Sequence, residues 1–194
     1  MPDQPRLFDP PFPEGFVYQP DFLTPGEEQA LLSEIARLEF GEFVMRGVAA
    51  RRRVVHFGWR YRPESAAVEE GPPIPPFLEP LRERGAGLVR LPAREFVEAL
   101  VMEYPPGAPI GWHRDAPMFG VIVGISLLGA CRFLLRRQEG GERIELALPP
   151  RSAYVLAGAA RSEWQHHIPP VKALRYSITF RTLRRRPAGP VPAP

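Results

Sequence analysis

The sequence predicts a single α+β domain whose sheet folds into a barrel or jelly roll. Three observations carry this. Two stretches of helical character lie in the first half of the chain, and from about residue 95 short β-prone segments follow one another, separated by turn signals. Nothing across the 194 residues repeats or reads as a long linker. Helices followed by many short strands is an α+β order. An apolar content of 44% is enough for one substantial core at this length.

Thr24-Pro25-Gly26-Glu27 reads as a capping box with proline at the first helical position. Leu31, Leu32, Ile35 and Leu38 recur behind it at helical spacing, so an amphipathic helix is expected over 25–39. A second helix is expected over 74–86, weakened by Pro80. Residues 96–104 and 119–128 are apolar and β-prone, and 132–136 continue the sheet. A turn over 138–143 containing Gly140-Gly141 comes next, then strands at 144–148, 152–156 and 176–183. The domain is expected to span 1–183, with 184–194 a disordered Arg- and Pro-rich tail.

Composition narrows the setting. No run of eighteen apolar residues occurs, so no membrane association is expected. The N-terminus lacks a basic region followed by an apolar one, which makes the cytoplasm the expected location. The single cysteine, Cys131, excludes an intramolecular disulfide framework. All basic residues except Lys172 are arginines, and the net charge is +3. Between Gly41 and Arg62, six of them (Arg46, Arg51, Arg52, Arg53, Arg60, Arg62) face Glu42 alone. That cluster reads equally well as a phosphate-contacting surface and as a solvated face.

The chemistry-bearing residues begin with His113-Arg114-Asp115. On extended backbone, residues i and i+2 point the same way, so an imidazole and a carboxylate share one side. They are two thirds of a 2-His-1-carboxylate metal triad, which leaves coordination positions open. The third ligand must come from His56, His166 or His167; the pair His166-His167, ahead of Pro169-Pro170, is the plausible source. In residues 175–181, RYSITFR, alternation puts Arg175, Ser177, Thr179 and Arg181 on one face and Tyr176, Ile178 and Phe180 on the other. Turning two arginines inward is costly unless an anion awaits them, and a short dicarboxylate suits them.

The order YPPGAPIGWHRD, then a β-rich stretch, then WQHHIP, then RYSITFR resembles the AlkB family of iron(II)/2-oxoglutarate dioxygenases. The resemblance runs from about Glu95 to Leu183 and is weaker over His56-Phe57-Gly58-Trp59-Arg60-Tyr61. It implies a double-stranded β-helix, a jelly-roll relative, with the N-terminal helices packed outside. It also implies a nucleotide-recognition lid over about 41–62. The cofactors implied are Fe(II), 2-oxoglutarate and O2. By the same resemblance His113, Asp115 and His166 are the iron ligands, His167 filling the place of a usual glycine. Arg175 grips the distal carboxylate of 2-oxoglutarate, Arg181 lies near its metal-chelating end, Tyr104 hydrogen-bonds it, and Ser177 holds a small polar position.

Two residues depart from the family pattern. Met102 stands where an asparagine usually contacts 2-oxoglutarate, and Pro117 stands where an acidic residue reads the amino edge of a methylated base. The expected function is oxidative demethylation of an alkylated base in DNA or RNA by a monomeric enzyme. Arg51, Arg52 and Arg53 would hold phosphates, and Trp59 or Tyr61 would stack on a base or, alternatively, pack in the core. The alternatives are hydroxylation or demethylation of a tRNA base or a protein side chain, and a non-catalytic nucleic-acid-binding relative.

Overall fold

Two sheets make up the fold, and the second half of the chain passes back and forth between them. A computed structural model describes residues 12–45, 48–62 and 67–184. Arg46 and the expected tail beyond residue 184 lie outside them. The strands are β1 (Phe16–Gln19), β2 (Gly41–Met45), β3 (Val48–Arg62), β4 (Ala67–Glu70), β5 (Phe96–Tyr104) and β6 (Ile110–His113). They continue with β7 (Phe119–Leu127), β8 (Cys131–Arg137), β9 (Arg143–Leu148), β10 (Ala153–Leu156), β11 (Trp164–Ile168) and β12 (Arg175–Leu183). The major sheet has the order β1-β10-β7-β12-β5-β3-β2, with β4 on β3; the minor sheet has the order β6-β11-β8-β9. From β5 onward the chain alternates between the two except at the β8–β9 hairpin, and all pairings are antiparallel. This is the double-stranded β-helix that the sequence implied.

Helix α1 (Pro25–Ile35) starts at the expected capping box. The Thr24 hydroxyl accepts from the Glu27 amide at 3.2 Å, and the Glu27 carboxylate accepts from the Thr24 amide at 2.7 Å. It ends at Ile35 rather than 39, because the amides of Arg37 and Leu38 bond three residues back and tighten the chain into a turn. A 3₁₀ turn, Pro76–Leu78, leads into α2 (Glu79–Gly87). Pro80 does not weaken that helix: it sits in the first turn, where its missing N–H has no intrahelical acceptor to serve.

Two cores follow from strand alternation. On the outer face of the major sheet, Val101, Val123, Ile125, Ile178 and Phe180 pack against Leu31, Ile35, Leu78 and Leu81 of the helices. Between the sheets, Leu100, Met102, Tyr104 and Ile122 meet Phe133, Leu135, Tyr154 and Trp164. The helices therefore buttress one face of a sheet whose other face is free to carry polar residues.

The first four strands and a short helix, α3 (Gly158–Ser162), were not expected. Residues 41–62, read as a lid, are largely sheet: Arg53–Gly58 of β3 pairs residue by residue with β5. Beyond Gly58 the strand leaves β5 and pairs with β4 from Trp59 onward.

Candidate metal and cosubstrate site

The minor sheet brings the two histidines together. His113, the last residue of β6, is the cross-strand partner of His166 on β11, and their rings lie 4.1 Å apart. Alternation along β11 turns Trp164, His166 and Ile168 inward, and His167 outward onto Trp112. Asp115 follows β6 by two residues. Its Oδ1 lies 3.4 Å from His113 Nε2 and 3.6 Å from His166 Nε2. One ligand atom from each of the three falls within 4.8 Å of the others, a spacing that fits iron. The ring of His113 is oriented by Gly111, whose carbonyl lies 2.9 Å from Nδ1. A carbonyl only accepts, so Nδ1 carries the proton and Nε2 offers its lone pair to the cluster.

The electrostatics keep the ligands in metal-binding form. Burial, and then the neighbouring His113 ring, pushes the His166 imidazole down to about 3, so it is neutral near pH 7. Burial alone would raise the Asp115 carboxyl, but Arg181 and the histidines outweigh it and hold it well below the usual carboxylate range. Arg181 Nε donates to Asp115 Oδ2 at 2.6 Å, leaving Oδ1 to face the histidines. Arg181 Nη1 donates in turn to Glu98 Oε2 at 2.8 Å, and Glu98 Oε1 lies 3.3 Å from His56 Nδ1. Glu98 is only 1% exposed. Arg181 is thus engaged with two carboxylates of the protein at once, and its position is set by them.

Arg175 presents the opposite case. It is 1% exposed, its guanidinium lies 4.8 Å from the centre of the Tyr104 ring, and Nε donates to Ser126 Oγ at 3.1 Å. No carboxylate pairs with it among the described residues, and its Nη1 has no hydrogen-bond partner. Ser177 Oγ and Thr179 Oγ1, further along the same inward face of β12, are likewise buried and unpartnered. Orphaned donors of this kind are rare unless a ligand completes them. The Tyr104 hydroxyl, buried beside them, reaches only Met102 Sδ at 3.3 Å. The donor set therefore fits an anion with several acceptor oxygens, as 2-oxoglutarate is.

A model of the 2OG-Fe(II) oxygenase superfamily matches residues 15–181. The chain belongs to this superfamily. Its cofactors are accordingly Fe(II), 2-oxoglutarate and O2, and it is a 2-oxoglutarate-dependent dioxygenase. A protein of Arabidopsis thaliana named alkylated DNA repair protein ALKBH8 homolog is 29% identical over 90% of this chain, which spans 60% of that relative's length. A Xenopus tropicalis tRNA (carboxymethyluridine(34)-5-O)-methyltransferase alkbh8 is 27% identical over 86% of this chain, which spans 27% of it. The solved structure of OsALKBH1 superposes with a TM-score of 0.67 at 16% identity, covering 89% of this chain and 99% of that one. That likeness is one of fold. The names of these relatives bear out the AlkB resemblance read from the motifs.

Of the expected substrate-side residues, Arg52 alone among the described side chains is close enough to feel Asp115 and Tyr104, while Arg51, Arg53 and Trp59 are engaged elsewhere. Arg53 pairs with Glu103 at 2.7 Å, and Arg51 donates to the Gly107 carbonyl at 3.3 Å. Arg52, between them, alternates to the side of Val54, which belongs to the inner core, and is half-buried. Trp59 is 36% exposed and lines a hollow of about 250 Å³ with Glu70, Pro73 and Arg82, which no residue of the metal cluster reaches. The side chain of Tyr61 lies outside the described residues.

Two residues not expected from sequence shape the site. Glu98 was readable as the one inward acid of an apolar strand, FVEALVMEY. Arg161 on α3 had no such signal. It is 6% exposed, and its Nη2 lies 3.2, 2.7 and 2.9 Å from the carbonyls of Asp115, Ala116 and Phe119, clamping the loop that carries Asp115.

Proposed function

We propose that this dioxygenase acts on a modified base of DNA or RNA, removing or hydroxylating a small carbon group. His113, Asp115 and His166 hold the iron, and Arg175 grips the distal carboxylate of 2-oxoglutarate, with Tyr104 and Ser177 beside it. The observation that carries the cosubstrate assignment is the buried Arg175 guanidinium, which among the described residues has an unpartnered N–H and no carboxylate beside it. When bound, iron and 2-oxoglutarate supply the oxidation of a C–H bond by O2, coupled to decarboxylation of the oxoacid to succinate. Arg181 caps one oxygen of Asp115 and so limits it to the other as ligand. Gly111 fixes the His113 tautomer. The dry surroundings keep His166 unprotonated, so no proton competes with the metal there. An N-methyl group hydroxylated here would release formaldehyde and leave the bare nitrogen.

The nucleic-acid reading is supported by the names of the relatives, which concern alkylated DNA and a tRNA uridine. Arg52, held toward the inner side, is the arginine of the cluster best placed for a phosphate. Ala116, Pro117 and Met118 offer no carboxylate to balance a cationic methylated base. This favours an uncharged base over 1-methyladenine or 3-methylcytosine. The test is succinate release with Fe(II) across methylated oligonucleotides, modified tRNA and free nucleosides, with His166→Ala and His167→Ala alongside. Turnover on a nucleic acid is expected, lost in His166→Ala and kept in His167→Ala. Turnover confined to peptides would refute the substrate class, and an active His166→Ala enzyme would refute the ligand assignment.

A further inference from the structure

One buried phenol points into the space between the sheets and is used by nothing described so far. Tyr154 lies on β10, directly across from Gly124 of β7, which is in turn the partner of Thr179 on β12. Its neighbours Ala153 and Val155 belong to the outer core, whereas Tyr154 and Leu156 belong to the inner one. Gly124 has no side chain, and the tyrosine occupies the room this leaves. A Cβ placed on Gly124 would overlap the tail of the Tyr154 ring and its hydroxyl. The ring therefore lies across β7, with its hydroxyl end directed at β12. Phe133 touches both rings, its centroid 4.8 Å from that of Tyr154 and 5.5 Å from that of His166. One aromatic side chain thus links Tyr154 to a proposed iron ligand.

The polar groups around it are unmatched in one direction. Arg175 Nη1, Ser177 Oγ and Thr179 Oγ1 are buried without partners among the described residues, and the buried Tyr154 phenol feels the charges of Arg175 and Arg181. Burial, followed by the nearby Tyr104 and Asp115, pushes the Tyr154 phenol up, so it keeps its proton and acts as a donor. The carboxylate oxygens nearby are engaged elsewhere: Asp115 Oδ2 and Glu98 Oε2 by Arg181, and Glu98 Oε1 by His56. A cluster rich in donors and short of acceptors calls for an anionic ligand.

We propose that Tyr154 is a cosubstrate-binding residue whose hydroxyl, laid over Gly124, donates a hydrogen bond to 2-oxoglutarate. This rests on the cosubstrate reading above. It also gives Gly124 a function, as the gap in β7 through which a side chain on β10 reaches the ligand beside β12. It compensates for Met102, whose thioether offers 2-oxoglutarate no N–H.

The test is calorimetric titration of the Mn(II)-loaded protein with 2-oxoglutarate, comparing wild type, Tyr154→Phe, Gly124→Ala and Arg175→Ala, with thermal midpoints measured without ligand. Tyr154→Phe keeps the ring against Phe133 and is expected to bind 2-oxoglutarate about ten-fold more weakly at an unchanged midpoint, one hydrogen bond to a charged group being lost. Gly124→Ala, which displaces the ring, is expected to weaken binding at least as much. Unchanged affinity in Tyr154→Phe, with Arg175→Ala weakened, would overturn the role of Tyr154 and leave the cosubstrate reading standing. So would a loss matched by a lower ligand-free midpoint, since that marks a packing role. No binding by the wild type, or none lost in Arg175→Ala, would overturn the reading beneath it.

Discussion

Replacing Arg175 by methionine should make the ligand-free protein more stable while depriving it of its cosubstrate. The guanidinium is buried, Nη1 is unpartnered, and no described carboxylate offsets the charge. An unmet buried donor costs about 1–3 kcal/mol, and a buried charge without a partner costs several more. Against this stand the contact with the Tyr104 ring, about 2 kcal/mol when desolvated, and one hydrogen bond to Ser126, about 1 kcal/mol. Methionine fills a similar length without charge, so a net gain of about 2 kcal/mol is expected. For a domain of this size that is roughly 4–8 °C in thermal midpoint. With 2-oxoglutarate and Mn(II) at a hundred times the wild-type dissociation constant, the wild type should gain about 2.7 kcal/mol and the variant almost nothing, which removes or reverses the difference. Thermal unfolding with and without ligand reads both halves. A variant less stable than wild type without ligand, or stabilised by 2-oxoglutarate as much as wild type, would refute the reasoning.

Two further outcomes follow from the site. His166 is held at about 3 when folded, against about 6.5 when unfolded, so between these values the unfolded chain binds the extra proton. Stability of the metal-free protein should therefore fall as pH drops below about 6.5, by about 2 kcal/mol at pH 5, and His166→Gln should flatten the urea-derived profile; parallel profiles would contradict this. If single-stranded nucleic acid is held where we place it, Arg52→Ala should reduce the log–log salt slope of binding by about 0.7, whereas Arg53→Ala, on the opposite face of β3 beside Glu103, should change it less. The reverse order would move the binding surface to the outer face of the sheet.

What could be read in advance was what periodicity and metal chemistry constrain. The faces of β12 followed from alternation, and the structure keeps Arg175, Ser177, Thr179 and Arg181 on one side. The choice between His166 and His167 was legible too, since Trp164 and Ile168 share the parity of His166. The strands before residue 63 escaped because arginines occupy both faces of β3, and among residues 50–60 only Val54 is buried. Arg181 looked from its spacing like a second grip on the cosubstrate. The structure engages it with Asp115 and Glu98, a pairing that depends on which strand lies beside β12. Tyr154 was invisible for a related reason, because its reach is set by a glycine thirty residues earlier that only the register of β7 and β10 brings opposite.

The clamp by Arg161 bears on how such an enzyme changes its diet. It holds the loop after β6 entirely through main-chain carbonyls, so the side chains at 116–118 carry none of the anchoring. Evolution can rewrite those three positions and alter what the mouth of the site admits, while the carboxylate of Asp115 stays aimed at the same point. Catalytic machinery and substrate choice are thereby uncoupled within four consecutive residues, and the departure at Pro117 needs no compensating change in the iron site.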